Sequence, residues 1–203
     1  MEKKSVRKIF LFLLLVAVAG NVLYTESCLG TVFEIYPATV ESREEFETVA
    51  NSLKPGDELI LHGGLYSQSS RRSVTAKGSA AKPIIIRAAN GQQPLLTRPA
   101  DNIDKYNNIE FIDCSQLIVR GIRFKGGSSG VRFIRGHHIT FEECEIFQTG
   151  NNALTMNSGD CDAFIIRKNH IHHTGLSKTR RTEGEGMYIG CHDGSCVTTN
   201  SLF

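Results

Sequence analysis

Apolar and polar residues alternate along short segments through most of the chain, and three of these segments repeat one another. Each segment is followed at the same distance by a glycine. The segments and their glycines are Gln116–Phe124 with Gly127, Ile139–Phe147 with Gly150, and Phe164–His172 with Gly175. A fourth copy begins at Cys196 and stops at Phe203. Repetition at a period of about 20–50 residues predicts stacked units that share one continuous core.

Before the repeats, the same pattern predicts one helix and a series of strands. Ser42 and Glu45 form a capping box, and an apolar stripe that begins at Phe46 and ends at Leu53 predicts an amphipathic helix over about residues 42–53. The predicted extended segments are 28–41, Glu58–His62, Pro83–Ala88, Pro94–Thr97 and Ile109–Ile112. Short β-branched strands between Gly, Asn and Ser turns are typical of all-β proteins.

The strand after each repeat glycine can be stacked on its counterparts. The three strands are Ser129–Ile134, Asn152–Asn157 and Glu185–Gly190. Alternation then predicts two inward columns, which are wholly apolar: Val131, Leu154 and Met187, and Phe133, Met156 and Ile189. The outward columns are Ser129, Asn152 and Glu185, then Arg132, Thr155 and Tyr188, then Ile134, Asn157 and Gly190. A register slip of one residue would bury Arg132 and Tyr188.

A parallel β-helix explains this repeat better than two other repeat architectures. Leucine-rich repeats need a leucine pattern that these copies lack, and a propeller blade needs a longer period of about 40–45 residues. In a parallel β-helix each coil consists of several short strands. Strands of successive coils then lie about 4.8 Å apart.

The entry into the strands resembles the right-handed parallel β-helix, or pectin-lyase-like, superfamily. The resemblance rests on Lys54–Tyr66 with its Pro-Gly-Asp turn, on Lys82–Gly91, and on Asn169 and Asn200, which are similar to the asparagine turn ladder of that superfamily. It covers roughly residues 40–203 and implies an all-β, right-handed parallel β-helix solenoid with an N-terminal capping helix. Because Phe203 stops in the middle of a coil, we expect an open or truncated C-terminal end.

The first residues predict a secretory leader. Basic residues around Lys3 and Lys8 precede the apolar run Ile9–Ala19, which is shorter than the roughly 20 residues that span a bilayer. A retained membrane anchor is the alternative. We therefore expect a leader over residues 1–27 and a β-helix domain over residues 28–203. The processed chain would be secreted or extracytoplasmic and would have no stable membrane span.

The net charge of the chain limits the kinds of partner that it can bind. The formal net charge is +2, but residues 1–20 alone carry four basic residues and one acid, a net charge of +3, so the rest of the chain is near −1. The rest of the chain therefore lacks the basic stripe that nucleic acid demands, so we expect no nucleic-acid partner and favour a neutral or anionic polysaccharide.

Cys191 and Cys196 flank a short turn and predict a disulfide, with a zinc site that includes His192 as the alternative.

The outward columns and the adjacent loop supply the candidate site. Carboxylate and amide groups suit sugar hydroxyls, an aromatic ring suits a sugar face, and the basic loop over residues 176–185 suits a uronate. The candidate catalytic residues are Arg132, Tyr188, His173 and Arg180. The candidate substrate-binding residues are Asn152, Thr155, Glu185, Arg181 and Lys178. By the repeat register, His172 replaces Phe124 and Phe147, and His170 replaces Ile122 and Glu145.

The resemblance implies a polysaccharide-active protein, and we expect a lyase that cleaves a uronic-acid polymer by β-elimination. A base would remove the proton α to the carboxylate while calcium, or basic and amide groups, stabilise the enolate. Glu185, alone or with Asn152, is the candidate calcium ligand, but one carboxylate is too few to commit to a metal. The alternatives are a hydrolase, whose second carboxylate is missing from the aligned columns, an epimerase, and a non-catalytic glycan-binding or cell-surface β-helix.

Overall fold

Three parallel sheets wind around one core in a computed structural model that describes residues 6–9, 30–37, 43–99, 103–179 and 184–203. The elements in chain order are β1 (Val6–Ile9), β2 (Val32–Ile35), α1 (Arg43–Ser52), β3 (Glu58–Leu61), β4 (Gly64–Ser67), β5 (Ser73–Val74), β6 (Ile84–Ala88), β7 (Pro94–Thr97), β8 (Ile109–Ile112), β9 (Ser115–Arg120), β10 (Arg123–Lys125), β11 (Val131–Ile134), β12 (His137–Glu142), β13 (Glu145–Phe147), β14 (Leu154–Met156), β15 (Cys161–Asp162), β16 (Ile165–Arg167), β17 (His170–His172), β18 (Met187–Ile189) and β19 (Thr198–Thr199). The predicted leader, apart from β1, and the N-cap Ser42 lie outside the described residues.

The strand order defines a parallel β-helix of about five turns. Sheet A has the order β1-β2-β3-β6-β9-β12-β15-β19, with β16 also beside β12. Sheet B has the order β17-β13-β10-β7-β4, and sheet C the order β18-β14-β11-β8-β5. Neighbouring strands are parallel, except that β1 pairs with β2 antiparallel. The predicted fold class is therefore confirmed.

The stacking predicted for sheet C is also confirmed. Val131 pairs with Leu154, and Leu154 pairs with Met187. Val131 and Leu154 are fully buried, and Met187 packs against the core. The neighbouring outward residues Arg132, Thr155 and Tyr188 lie above one another in register. Strand alternation therefore separates an apolar interior from a polar surface along this sheet.

The interior is filled by aromatic side chains from successive strands. The ring of Phe133 lies 5.2 Å from that of Phe111, 5.8 Å from that of Phe141 and 5.1 Å from that of Phe164, measured between centroids. One end of this core is covered by α1, whose side chain of Phe46 is buried in the same apolar cluster. The helix α1 lies within the predicted range 42–53. The packing of Phe46 in the core cluster supports the predicted role of the helix as an N-terminal cap.

The register of the first repeat was predicted wrongly by one residue. Leu117 pairs with Ile139, and Phe124 pairs with Ile146. The turn from β10 to β11 is one residue shorter than the turn from β13 to β14, so an alignment on Gly127 and Gly150 shifts the strands before them by one residue. The observed register places buried apolar residues over one another. His172 therefore pairs with Phe147, as predicted. In the next coil of the same column, Phe147 pairs with Lys125 and not with the predicted Phe124.

The two asparagines of the predicted turn ladder do not stack. Asn169 joins two coils, because its Oδ1 accepts a hydrogen bond from the Cys144 amide at 3.0 Å and its Nδ2 donates to the Phe141 carbonyl at 3.0 Å. In the fourth copy, however, Thr199 pairs with Asp162. Asn200 therefore follows the position of Asp162 in the next coil and does not lie over Asn169.

The strands predicted before the repeats are present, and so is the predicted disulfide. The predicted strands at Glu58, Pro83, Pro94 and Ile109 form β3, β6, β7 and β8, whereas β4 and β5 were not predicted. Cys191 and Cys196 form a disulfide, which is incompatible with the zinc alternative. Among the residues that the structure describes, no helix is long and apolar enough to cross a membrane.

Candidate functional site

A cleft of about 420 Å³ opens on the outward face of sheet C. We call it the sheet C cleft. It is lined by Asn107, Ser128, Ser129, Arg132, Asn151, Asn152, Thr155, Asn157, Glu185 and Tyr188. Almost every lining side chain is an amide, a hydroxyl or a charged group, so the cleft suits a polar ligand that makes many hydrogen bonds.

The floor of the cleft is built by strand stacking. Parallel pairing of β8, β11, β14 and β18 places Glu110, Arg132, Thr155 and Tyr188 in one column, with one residue contributed by each coil. Adjacent parallel strands lie about 4.8 Å apart. The column therefore presents chemically different groups at regular intervals along the solenoid.

The turns that precede these strands form one wall of the cleft. Asn107 Oδ1 accepts a hydrogen bond from the Ser129 amide at 3.0 Å, and Asn151 Nδ2 donates to Ser128 Oγ at 2.8 Å. Asn152 Oδ1 accepts from the Glu185 amide at 3.2 Å. These bonds connect successive coils, so the wall is held by the same stacking that forms the sheets.

Four buried polar atoms of the cleft have no hydrogen-bond partner among the described residues. They are Arg132 Nε, Asn151 Oδ1, Thr155 Oγ1 and Asn157 Oδ1. Buried polar groups are nearly always hydrogen-bonded, and leaving one unsatisfied costs about 1–3 kcal/mol. Four such atoms around one cleft are expected where a ligand supplies the missing partners.

The loop that joins β17 to β18 borders the cleft. The Ser177 amide donates to the Gly150 carbonyl at 2.7 Å, and Thr174 Oγ1 donates to the Gly184 carbonyl. Glu185 Oε2 accepts from the Gly184 amide at 3.1 Å. The described parts of the loop are thus anchored to the coil below and bring Glu185 to the cleft.

The structure brings together five of the nine predicted site residues. Arg132, Tyr188, Asn152, Thr155 and Glu185 all line the cleft. Their functional roles remain predictions.

The other four predicted residues are not among the described residues that line the cleft. Lys178 is exposed on the loop and does not line the cleft. His173 contacts His172 beside the outward face of sheet B. Arg180 and Arg181 lie outside the described residues.

Glu110 was missed by the sequence analysis, which found no second acid in the aligned columns. The Glu110 carboxylate is buried next to the cleft, accepts a hydrogen bond from Asn107 Nδ2 at 2.8 Å and lies 3.6 Å from Arg71 Nε. The signal was available, because Ile109–Ile112 has the same alternation as Val131–Ile134 and pairs with it throughout. Asn107 and Arg71 hold this carboxylate in a fixed orientation beside the cleft.

Comparison with protein families agrees with this geometry. Residues 40–174 of the 203 match the family model of chondroitinase B. The strand order places this chain in the class of parallel β-helix proteins. The chain belongs to the chondroitinase B family. No curated protein matches it.

Two solved structures share the fold. The alginate lyase from Paenibacillus sp. str. FPU-7 superposes with a TM-score of 0.65 at 23% identity, over 76% of this chain and 53% of that one. The pectate lyase Pel9A superposes with a TM-score of 0.50 at 18% identity, over 62% of this chain and 39% of that one. The chain thus spans only about half of the length of the first structure, and less of the second. At these identities the likeness concerns the fold.

Proposed function

We propose that this chain is a polysaccharide lyase that cleaves a uronic-acid-containing polymer by β-elimination in the sheet C cleft. The observation that carries the proposal is the set of four unsatisfied buried polar atoms around Arg132 and Thr155. A chain of sugars offers hydroxyls and carboxylates in the number that such a cleft requires. Membership of the chondroitinase B family supports the same class of reaction.

Arg132 is proposed to bind the uronate carboxylate. Its guanidinium is a planar fork of donors that matches a carboxylate, and Nε is one of the atoms without a partner. When the proton α to the carboxylate is removed, negative charge spreads onto the carboxylate oxygens. A fixed positive charge at this position lowers the energy of that enolate more than that of the bound substrate.

Tyr188 is proposed to transfer protons. In its deprotonated form the phenolate oxygen accepts the proton from C5, the electron pair forms the C4–C5 double bond, and the bond from C4 to the glycosidic oxygen breaks. The proton then passes to the leaving oxygen, which restores the charge balance. His173 and Arg180 were also predicted as catalytic residues, and Arg180 remains the alternative base.

The remaining predicted residues are proposed to hold the polymer. Asn152, Thr155 and Glu185 bind hydroxyl groups inside the cleft, and Lys178 and Arg181 add positive charge on the adjoining loop. These groups favour an anionic polymer.

The described part of the cleft does not make a calcium site by itself. Calcium takes six to eight oxygen ligands, and Glu185 is the one carboxylate among the lining residues that the structure describes. The amide oxygen of Asn152 is already used by the Glu185 backbone. No step of the proposed reaction therefore depends on the metal.

We also propose that the chain acts outside the cytoplasm. Its substrate would be a polymer that does not cross membranes, and the Cys191–Cys196 disulfide suits an oxidising compartment. The test is to express the full chain in a bacterial host, fractionate the cells and determine the N-terminal residue of the exported form. We expect a mature chain that begins at or before Cys28, and a full-length chain found in the cytoplasm alone would contradict the proposal.

The reaction is tested by incubating the purified chain with alginate, pectate and glycosaminoglycans, with and without a chelator, and following the absorbance of unsaturated uronate products. We expect product from at least one polymer. Arg132→Ala and Tyr188→Phe should each lower kcat by about 10²–10⁴-fold.

The matched control is Arg135→Ala. It removes an exposed arginine that pairs with Asp113, so activity should stay unchanged. If the chain bound a polymer saturably but formed no unsaturated product, the result would contradict the lyase proposal and favour the glycan-binding alternative. Full activity in Arg132→Ala would show that the cleft is not the site.

A further inference from the structure

A second cluster of chemically active side chains lies outside the cleft, on the outward face of sheet B. Glu145 of β13 pairs directly with His170 of β17, and His172 is two residues further along the same strand. Because side chains alternate along a strand, all three point outward, while Ile146 and Ile171 between them point to the core. We call Glu145, His170 and His172 the sheet B triad.

The triad has the geometry of a metal site. One oxygen of Glu145 and one ring nitrogen of each histidine all lie within 4.8 Å of one another. His172 Nε2 is 2.9 Å from Glu145 Oε1, and His170 Nδ1 is 4.0 Å from the same oxygen. Zinc binds nitrogen and oxygen donors at about 2.0–2.2 Å, so tetrahedral ligands are separated by roughly 3.4 Å. Small side-chain rotations bring the three donors to that spacing.

Neighbouring residues orient two of the three donors. Arg123 binds Oε2 of Glu145, so that Oε1 is the oxygen that faces the histidines. Nδ1 of His172 is hydrogen-bonded to His173, which leaves Nε2 to face the triad. Partners of this kind fix the orientation and tautomer of the ligands in metal sites.

We propose that the sheet B triad binds one zinc ion, which joins the coils of β13 and β17. Two imidazole nitrogens and a carboxylate oxygen are donors that suit zinc, which is a borderline divalent cation. Calcium and magnesium require more oxygen ligands than this cluster offers. The ion would hold β17 in place immediately before the loop that carries Glu185 into the cleft. The three donors leave the fourth zinc position to water, and the site is separate from the lyase chemistry proposed for sheet C.

The proposal is tested on the purified chain, produced without a polyhistidine tag and freed of metal. Zinc is titrated against a chromophoric chelator. We expect one zinc per chain with a Kd on the order of micromolar or tighter, and a rise in Tm when zinc is added. His170→Ala, His172→Ala and Glu145→Gln should each weaken binding by at least about tenfold.

His137→Ala is the matched control, because it removes an exposed histidine from β12 on another sheet and should leave zinc affinity unchanged. A second measurement, the visible absorption of bound Co²⁺, reports tetrahedral coordination of the metal. Since the His170 side chain is 72% exposed, His170→Ala should fold normally and still lose this band. Zinc affinity unchanged in His170→Ala and His172→Ala, or no zinc bound by the wild type at micromolar concentration, would overturn the proposal.

Discussion

At the scale of single residues, Glu142 is the clearest charged anchor of the fold. Its buried carboxylate accepts hydrogen bonds from Arg120 Nε at 2.6 Å and Arg167 Nε at 2.7 Å, and these two arginines belong to the coils on either side. Burial by itself would raise the pKa of Glu142. The hydrogen bonds and charges of Arg167 and Arg120 outweigh it and hold the pKa below its usual range.

Glu142→Gln should therefore destabilise the chain by about 1–3 kcal/mol, because charge-assisted hydrogen bonds to two coils are weakened. Urea unfolding measures the change. Glu143→Gln is the control, since Glu143 forms an exposed pair with Lys168 at 3.5 Å and should change stability by less than about 1 kcal/mol. Equal losses in the two variants would contradict the assignment.

The same carboxyl gives a pH dependence with a definite sign. The pKa of Glu142 is lower in the folded chain than in the unfolded one, so the unfolded chain binds the proton more readily. Glu142 therefore stabilises the folded chain fully at pH values above its pKa in the unfolded chain. This stabilisation is lost as the pH falls through its lower pKa in the folded chain. The free energy of unfolding of the wild type should fall in this acid range by more than that of Glu142→Gln.

At the scale of strands, inward and outward aromatic residues should differ sharply in their contribution to stability. Phe133 is fully buried and contacts three other phenylalanine rings, so Phe133→Ala should cost about 3–5 kcal/mol. Phe147 points outward on β13, and Phe147→Ala should cost less than about 1 kcal/mol. Urea unfolding of both variants tests the register, and a larger loss at Phe147 would contradict it.

Strand alternation also explains which parts of the site could be predicted from the sequence. Arg132, Thr155 and Tyr188 were placed correctly because the apolar columns beside them allow one register. The first repeat was misplaced by one residue because the copies were aligned on Gly127 and Gly150, and the turn after β10 is one residue shorter than the turn after β13. The strand β4 begins with Gly64 and buries only Tyr66, so it shows no alternation, and the two-residue β5 is too short to show a period.

The wall of the cleft was harder to predict than its floor. Asn107, Ser128 and Asn151 lie in turns, where side chains do not alternate between two faces, so the repeat that stacks Ser128 and Asn151 does not show that they point into the cleft. Their convergence depends on hydrogen bonds between coils, such as the one from Asn151 to Ser128. Glu110 was accessible to the same reasoning as Arg132, and it was missed because β8 was left out of the alignment.

At the scale of the whole molecule, each coil contacts its neighbours, so stability should vary along the solenoid axis. The strand β12 pairs on both sides, with β9 and with β15 and β16, whereas the pairing described for β18 is with β14. Amide hydrogen exchange should therefore be slowest at Leu117–Val119 and Ile139–Phe141, and faster at Met187–Ile189. Uniform protection along the axis would contradict this gradient.

The stacked column of Arg132, Thr155 and Tyr188 has an evolutionary consequence. Each coil contributes one outward side chain to the column, and its inward neighbours Val131, Leu154 and Met187 carry the packing. Exchange of an outward residue leaves the interior intact, so recognition can diverge between relatives while the scaffold is retained.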